Sequence, residues 1–183
     1  MAADNINWQR LLTALNYYNA MCYKTTDLDW TMDVNISSVT KPVGRKDYFI
    51  NERALVASGE QSFVEMILKN KLVPGCYSGI TPCFRDEYEL DELHSNYFMK
   101  VELIDTMNPN KKGLDNMINY ALKFYSQYLD VRVLETQEEM YDIIDVKNGI
   151  ELGSYGTRCY KDIKWVFGTG LAEPRMSKVL QMQ

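Results

Sequence analysis

The segment that most constrains the fold is a pair of strand-like runs on either side of a polar loop. Residues Cys76 to Arg85 form the first run, and Tyr97-Phe98-Met99-Lys100-Val101-Glu102-Leu103-Ile104 alternates well enough to be a half-buried second strand. The intervening stretch carries Asp, Glu, His and Ser, so the two runs are expected to pair antiparallel across a surface loop. Residues four apart in a strand share a face, which points Phe98 and Glu102 the same way, and Arg85 at the end of the first run can be aimed across that face.

The remaining elements fit around this hairpin. Trp8, Leu11, Leu12, Leu15, Tyr18 and Cys22 recur at helical spacing, predicting a helix from about Ile6 to Tyr23 with Asp4 or Asn5 as its cap. The turn-rich stretch from Asp27 through Ser37-Ser38 to Lys41-Pro42 reads as a strand plus loops. Glu60, Phe63, Met66, Ile67 and Leu72 predict a second helix stopped by Pro74-Gly75. Asn108 to Gly113 reads as a turn, and Leu114 to Leu129 as a third helix. Strands follow at Asp130 to Leu134, Ile150 to Tyr160 and Ile163 to Phe167, with a last helix from near Leu171. Strands joined by a hairpin, with helices inserted rather than strictly alternating, predict an α+β domain: an antiparallel sheet flanked by helices.

Composition narrows the function. A length of 183 residues with 46% hydrophobic and 25% charged residues is that of one ordinary domain, so residues 1–183 are read as a single unit. A chain of this size buries roughly 70% of its unfolded surface and needs no disulfide staples. Cys22, Cys76, Cys83 and Cys159 lie far apart without C-x-x-C spacing, so free thiols, no zinc site and a cytoplasmic location are expected. No apolar run reaches the roughly 20 residues of a membrane helix. The net charge of −5 has the wrong sign for a surface that holds nucleic acid by neutralising phosphates.

The chemistry gathers in three segments. Arg85 offers a fork that matches phosphate or carboxylate oxygens, Phe98 a ring on which a base can stack, and His94 a donor at the mouth. Together they describe a nucleotide pocket. Gly168-Thr169-Gly170-Leu171-Ala172-Glu173-Pro174-Arg175 would let a strand pass close under a nucleotide and turn into a helix that favours anions at its start. Asn148-Gly149-Ile150-Glu151-Leu152-Gly153-Ser154, followed by Arg158, supplies a hard carboxylate of the kind that suits Mg²⁺.

These three segments, in this order, resemble the class II aminoacyl-tRNA synthetases. Phe84-Arg85-Asp86-Glu87, the loop to His94, then Phe98 and Glu102 are similar to motif 2 without a gap. Gly168 to Arg175 is similar to motif 3 in its seryl-type form, and Asn148 to Gly153 looks like a strand of aspartyl-type enzymes and of asparagine synthetase A. The resemblance implies that Arg85 holds the α-phosphate and substrate carboxylate, Glu87 approaches the adenine or the substrate, His94 meets the γ-phosphate and Phe98 stacks on adenine. It further implies that Gly168 and Gly170 underlie the nucleotide, Arg175 meets the γ-phosphate, and Glu151, with Asp145 upstream, holds Mg²⁺. Glu60, in Ala57-Ser58-Gly59-Glu60, resembles the element that binds the substrate amino group, and Arg158 stands where aspartyl enzymes bind a side-chain carboxylate. Motif 1, a dimer-forming helix followed by a strand ending in proline, has Pro42 as its candidate proline.

The resemblance implies a stand-alone catalytic core without an anticodon-binding domain. It points to ATP-dependent activation of an amino acid as an acyl-adenylate, with transfer to a non-standard acceptor. Its partners would be ATP, Mg²⁺, a small amino acid and a second copy in a homodimer, with tRNA bound only through another protein. The opposing reading is an inactive paralogue that serves as a regulatory or scaffold subunit.

Overall fold

The computed structural model describes residues 6–41, 44–87, 89–91 and 93–183. In chain order its elements are α1 (Trp8–Ala20), β1 (Lys24–Thr25), β2 (Thr31–Met32), α2 (Val34–Thr40), β3 (Phe49–Ile50), β4 (Arg53–Leu55), α3 (Gly59–Leu68), β5 (Cys76–Phe84), β6 (Tyr97–Asp105), α4 (Lys111–Tyr125), β7 (Val131–Gln137), β8 (Met140–Asp145), β9 (Glu151–Tyr160), β10 (Ile163–Glu173) and α5 (Arg175–Gln181). Seven strands form the main sheet in the order β1-β5-β6-β10-β9-β8-β7. Neighbours pair antiparallel except for β1, which runs parallel to β5. A small antiparallel sheet, β2-β4-β3, stands apart from it. The architecture is α+β.

Strand alternation builds two different faces. Along β6, Met99, Val101 and Leu103 enter an apolar cluster with Leu11, Ala14 and Tyr18 of α1, Leu114, Met117 and Phe124 of α4, and Met176 and Val179 of α5. On the other face, Phe63 of α3 and Ala54 of β4 pack with Ile104, Trp165 and Phe167 in a second cluster. Beside that second cluster the sheet opens into a cavity.

Several elements depart from the sequence reading. Residues 34–40, expected as strand or loop, form helix α2, started by the Asp33 side chain accepting from the Asn35 amide at 2.9 Å. Its β-branched composition disfavours helix, so burial of Ile36 and Ser37 beside α3 decides the outcome. The second helix ends at Leu68, short of Leu72. The third starts at Lys111, where Asn110 caps it through the Gly113 amide at 3.1 Å. Strand β8 was not foreseen: its hairpin with β7 turns through Glu139 at φ 56°, without the Gly or Asn that marks such turns. The final strand continues through Leu171 to Glu173, and helix begins only at Arg175. At the start of the chain Asn7 caps α1, accepting from the Arg10 amide at 2.9 Å; Asp4, Asn5 and Pro42 lie outside the described residues.

Candidate functional site

Strands β5 and β6 pair in register from Cys76 opposite Asp105 to Phe84 opposite Tyr97, so Arg85 begins the connecting loop. The Arg85 amide donates to the Asn96 carbonyl at 3.0 Å, which pins the root of the loop. Its guanidinium donates through Nε to the Ala57 carbonyl at 3.1 Å and stacks 4.9 Å from the centre of the Phe98 ring. These contacts fix the planar fork over the inward face of β6.

That face is the wall of a cavity of about 370 Å³, a size usual for small-molecule sites. Arg85, Glu87, His94 and Phe98 of the hairpin line it, with Glu60 of α3, Glu151 and Arg158 of β9, and Arg175 of α5. Arg85 and Arg175, from separate segments, therefore open onto one space.

At its deep end the charges are interlocked. Lys100 Nζ lies 2.8 Å from Glu102 Oε2 and 3.1 Å from Ser58 Oγ, while Ser58 donates to the same carboxylate at 2.7 Å. The neighbouring Glu60 is almost fully buried; it accepts from the Trp165 indole at 2.7 Å and from Arg158, whose guanidinium lies 4.0 Å from the centre of the Phe167 ring. Burial pushes the Glu60 carboxyl above its ordinary value, opposed by Arg158 and reinforced by the Glu102 charge. A balanced set of two cations and two buried carboxylates can meet a zwitterion, offering each sign to its opposite.

At the other end Arg175, the first residue of α5, reaches Glu151 Oε1 at 3.3 Å, and Ser154 donates to the same oxygen at 3.2 Å. The Glu151 side chain is 45% exposed. The second acid near Glu151 is Asp142 of β8, which pairs opposite Ser154 and is raised chiefly by burial and also by the Glu151 charge. Asp145, expected in that role, is fully buried and does not line the cavity. It accepts from the amide and the side chain of Asn148, both at 2.9 Å, and so braces the β8–β9 turn. A register shift between Ile143 and Ile144 makes the difference, and sequence spacing carries no trace of it.

Gly168 and Gly170 are also not part of the cavity wall. A Cβ on Gly168 would come 2.5 Å from the Tyr155 ring, and one on Gly170 2.7 Å from the Tyr18 ring. They face the helix layer and make room for aromatic rings rather than for a nucleotide. At Gly170 β10 bulges, and the Thr169 and Gly170 carbonyls accept from the hydroxyls of Tyr155 at 2.6 Å and Tyr18 at 3.0 Å. The bulge lets the strand place Thr169 and Ala172 on the cavity wall.

The mouth is braced by the loop itself. Asp91 accepts from the amides of Leu93 and His94, both at 2.7 Å, and from the His94 ring at 2.9 Å. The His94 contact leads in holding the Asp91 carboxyl down to about 2. From the segment after α2, Arg45 donates to the Asp86 carbonyl and reaches Glu87 at 3.4 Å, and the Lys46 amide donates to the Asp86 side chain at 3.2 Å.

Sequence reasoning passed over Lys100, Ser58, Lys41, Arg45 and Lys46, which line the cavity. The signal for the first was present: Lys100 and Glu102 are charged residues in alternation within a strand of otherwise apolar and aromatic character. Among the described residues no three His, Cys, Asp or Glu side chains gather into a metal site. One half-exposed carboxylate with a hydroxyl beside it nevertheless fits Mg²⁺ carried in on phosphates, since that ion takes one or two protein carboxylates and keeps phosphate and water for the rest.

Among the solved structures to which this fold is similar are two seryl enzymes. One is the cytoplasmic serine-tRNA ligase from Naegleria fowleri in complex with AMP, with a TM-score of 0.75 and 17% identity over 94% of this chain and 47% of that one. The other is seryl-tRNA synthetase from Pyrococcus horikoshii complexed with ATP, with a TM-score of 0.73 and 15% identity over 93% of this chain and 48% of that one. The chain spans about half the length of either. No family model and no curated protein matches the sequence. The fold is thus that of a class II aminoacyl-tRNA synthetase catalytic core. None of the helices in the described residues is long and apolar enough to cross a membrane.

Proposed function

We propose that the chain binds Mg·ATP and activates an amino acid as its acyl-adenylate, releasing pyrophosphate. The observation that carries this reading is the opening of Arg85, Phe98, Glu151 and Arg175 onto one cavity whose inner end holds the balanced Lys100–Glu102 and Arg158–Glu60 pairs. AMP and ATP in the similar structures support a nucleotide in this place.

In the proposed reaction the amino acid sits at the deep end, its ammonium toward Glu102 and Glu60 and its carboxylate toward Arg85. That carboxylate is already ionised at neutral pH, so its oxygen attacks the α-phosphorus without a general base. Negative charge grows on the α-phosphate oxygens and on the departing pyrophosphate; Arg85 meets the first and Arg175 the second. Fixed cations of this kind lower the barrier because they need no reorganisation as the charge develops. Mg²⁺, held by Glu151, would supply further neutralisation of the phosphates. Phe98 would stack the adenine, and His94 at the mouth would meet the outer phosphate.

The acceptor we propose is a non-standard one: a small amine, a carrier protein or a modified nucleotide. The net charge of −5 supports this, because a tRNA backbone calls for a basic surface that a partner would have to supply. Exposed Trp8 and Leu12 on α1 support a homodimer. Amino-acid-dependent ATP–pyrophosphate exchange tests the function. Exchange with at least one of the standard amino acids is expected; no exchange with any, together with no Mg·ATP binding, would leave the scaffold reading.

A further inference from the structure

Arg10 has no counterpart in the motifs, yet it reaches the cavity wall from the far side of the sheet. It stands in the first turn of α1, with its side chain mostly buried and its guanidinium 5.9 Å from the centre of the Tyr128 ring. It lies 2.5 Å from Glu173 Oε1 and donates to Ser177 Oγ at 2.9 Å. The other Glu173 oxygen accepts from the Ser177 amide at 3.2 Å. Glu173 is fully buried, lines the cavity and closes β10 two residues before Arg175. One guanidinium thus ties the end of the last strand to the first turn of α5, where Arg175 begins.

We propose that Arg10 is a positioning residue for Arg175: by engaging Glu173 it keeps a cavity-wall carboxylate from competing for the arginine that receives phosphate. The inference rests on the nucleotide reading above. Arg175 is held by two long contacts to Glu151, 3.3 Å to the half-exposed carboxylate and 3.4 Å to the backbone carbonyl. Glu173, deprived of Arg10, is a buried anion whose nearest replacement cation along the chain is Arg175. A carboxylate turned to that partner would both draw the guanidinium off the phosphate and place negative charge beside the nucleotide. Burial already raises the Glu173 carboxyl, a sign that its charge depends on the partner it has.

The test is Mg·ATP titration by calorimetry on the full chain and on R10A, R10K, E173Q and R10A/E173Q, with thermal unfolding recorded for each. R10A is expected to weaken Mg·ATP about tenfold or more, R10K to retain most of the affinity, and E173Q to bind like wild type. The decisive variant is R10A/E173Q: with no carboxylate left to restrain, Arg10 becomes dispensable and affinity returns to within about threefold of wild type. R10A that folds and binds normally overturns the proposal, as does a double variant that stays weak. Should R10A alone fail to fold, R10A/E173Q decides: folding and binding support the proposal, and unfolding shows that Arg10 serves the fold regardless of Glu173. A wild-type chain that does not take up Mg·ATP removes the nucleotide reading itself and this inference with it, an outcome distinct from a variant that merely matches wild type.

Discussion

The two faces of strand β6 are made of the same backbone and do opposite things. Met99, Val101 and Leu103 are buried among apolar side chains of the helices, whereas Phe98, Lys100 and Glu102, offset by one residue, face a cavity in which the charges answer one another. The apolar face gains from burial alone. The polar face has to balance every ion it removes from water, so it is stable only as a set. The comparison teaches that the charges of the site need each other, while the helix layer behind it fixes where they stand.

Breaking the polar set is expected to have the largest effect. Lys100→Met leaves Glu102 buried without its cation, with Ser58 still donating to it, and should cost about 3–5 kcal/mol of stability, as for other buried pairs that lose one partner. Replacing both members with Lys100→Met and Glu102→Leu should recover most of that loss in a urea titration while abolishing pyrophosphate exchange. A double variant as unstable as the single one would show that the two faces do not differ in the way described.

Leu103→Ala on the apolar face should cost about 2–5 kcal/mol through lost burial and the cavity it opens. In contrast to the charged variants, its folded fraction should bind Mg·ATP as tightly as wild type when measured well below the melting temperature. Weakened binding by fully folded protein would join the two faces into one functional unit.

Much of this division was legible from alternation. The hairpin from Cys76 to Ile104 and the shared direction of Phe98 and Glu102 follow from a period of two, and the structure places them so. What alternation cannot carry is a break in register. The shift at Ile143/Ile144 put Asp142 rather than Asp145 near Glu151, and the bulge at Gly170 kept β10 extended to Glu173, where a glycine-rich run had been read as the passage into helix. Helix α2 was hidden for another reason: its residues favour extended backbone locally, and only packing beside α3 overrides them. The Arg10–Glu173 contact joins residues 163 positions apart and leaves no local mark.

Gly168→Ala sharpens the point about Gly168 and Gly170. The added Cβ would press on the Tyr155 ring and the Met117 sulfur, so a stability loss of about 1–3 kcal/mol is expected, with the affinity of folded protein for Mg·ATP unchanged. If binding fell while stability held, the glycine would belong to the nucleotide site after all.

The smallest effect concerns pH. Burial holds the Glu60 carboxyl above its ordinary 4.5, so the folded chain keeps that proton to a higher pH than the unfolded chain does. Stability from this group is therefore fully present below the ordinary value and is lost as pH rises through the raised one. Glu60→Gln cannot titrate. The melting temperature of wild type minus that of Glu60→Gln should accordingly be larger near pH ~4 than near pH ~7; a difference that grows with pH would reverse the assigned environment of Glu60.

The central claim is that Arg85 and Arg175 serve one nucleotide. Its most direct test is a double-mutant cycle in Mg·ATP affinity with Arg85→Ala, Arg175→Ala and the pair, each shown to be folded by circular dichroism. Each single variant is expected to weaken binding by about tenfold or more, near 1.4 kcal/mol per tenfold, and the pair to lose more than either. Wild-type affinity in either single variant would contradict the account, because one of the two guanidiniums would then have no part in holding the ligand.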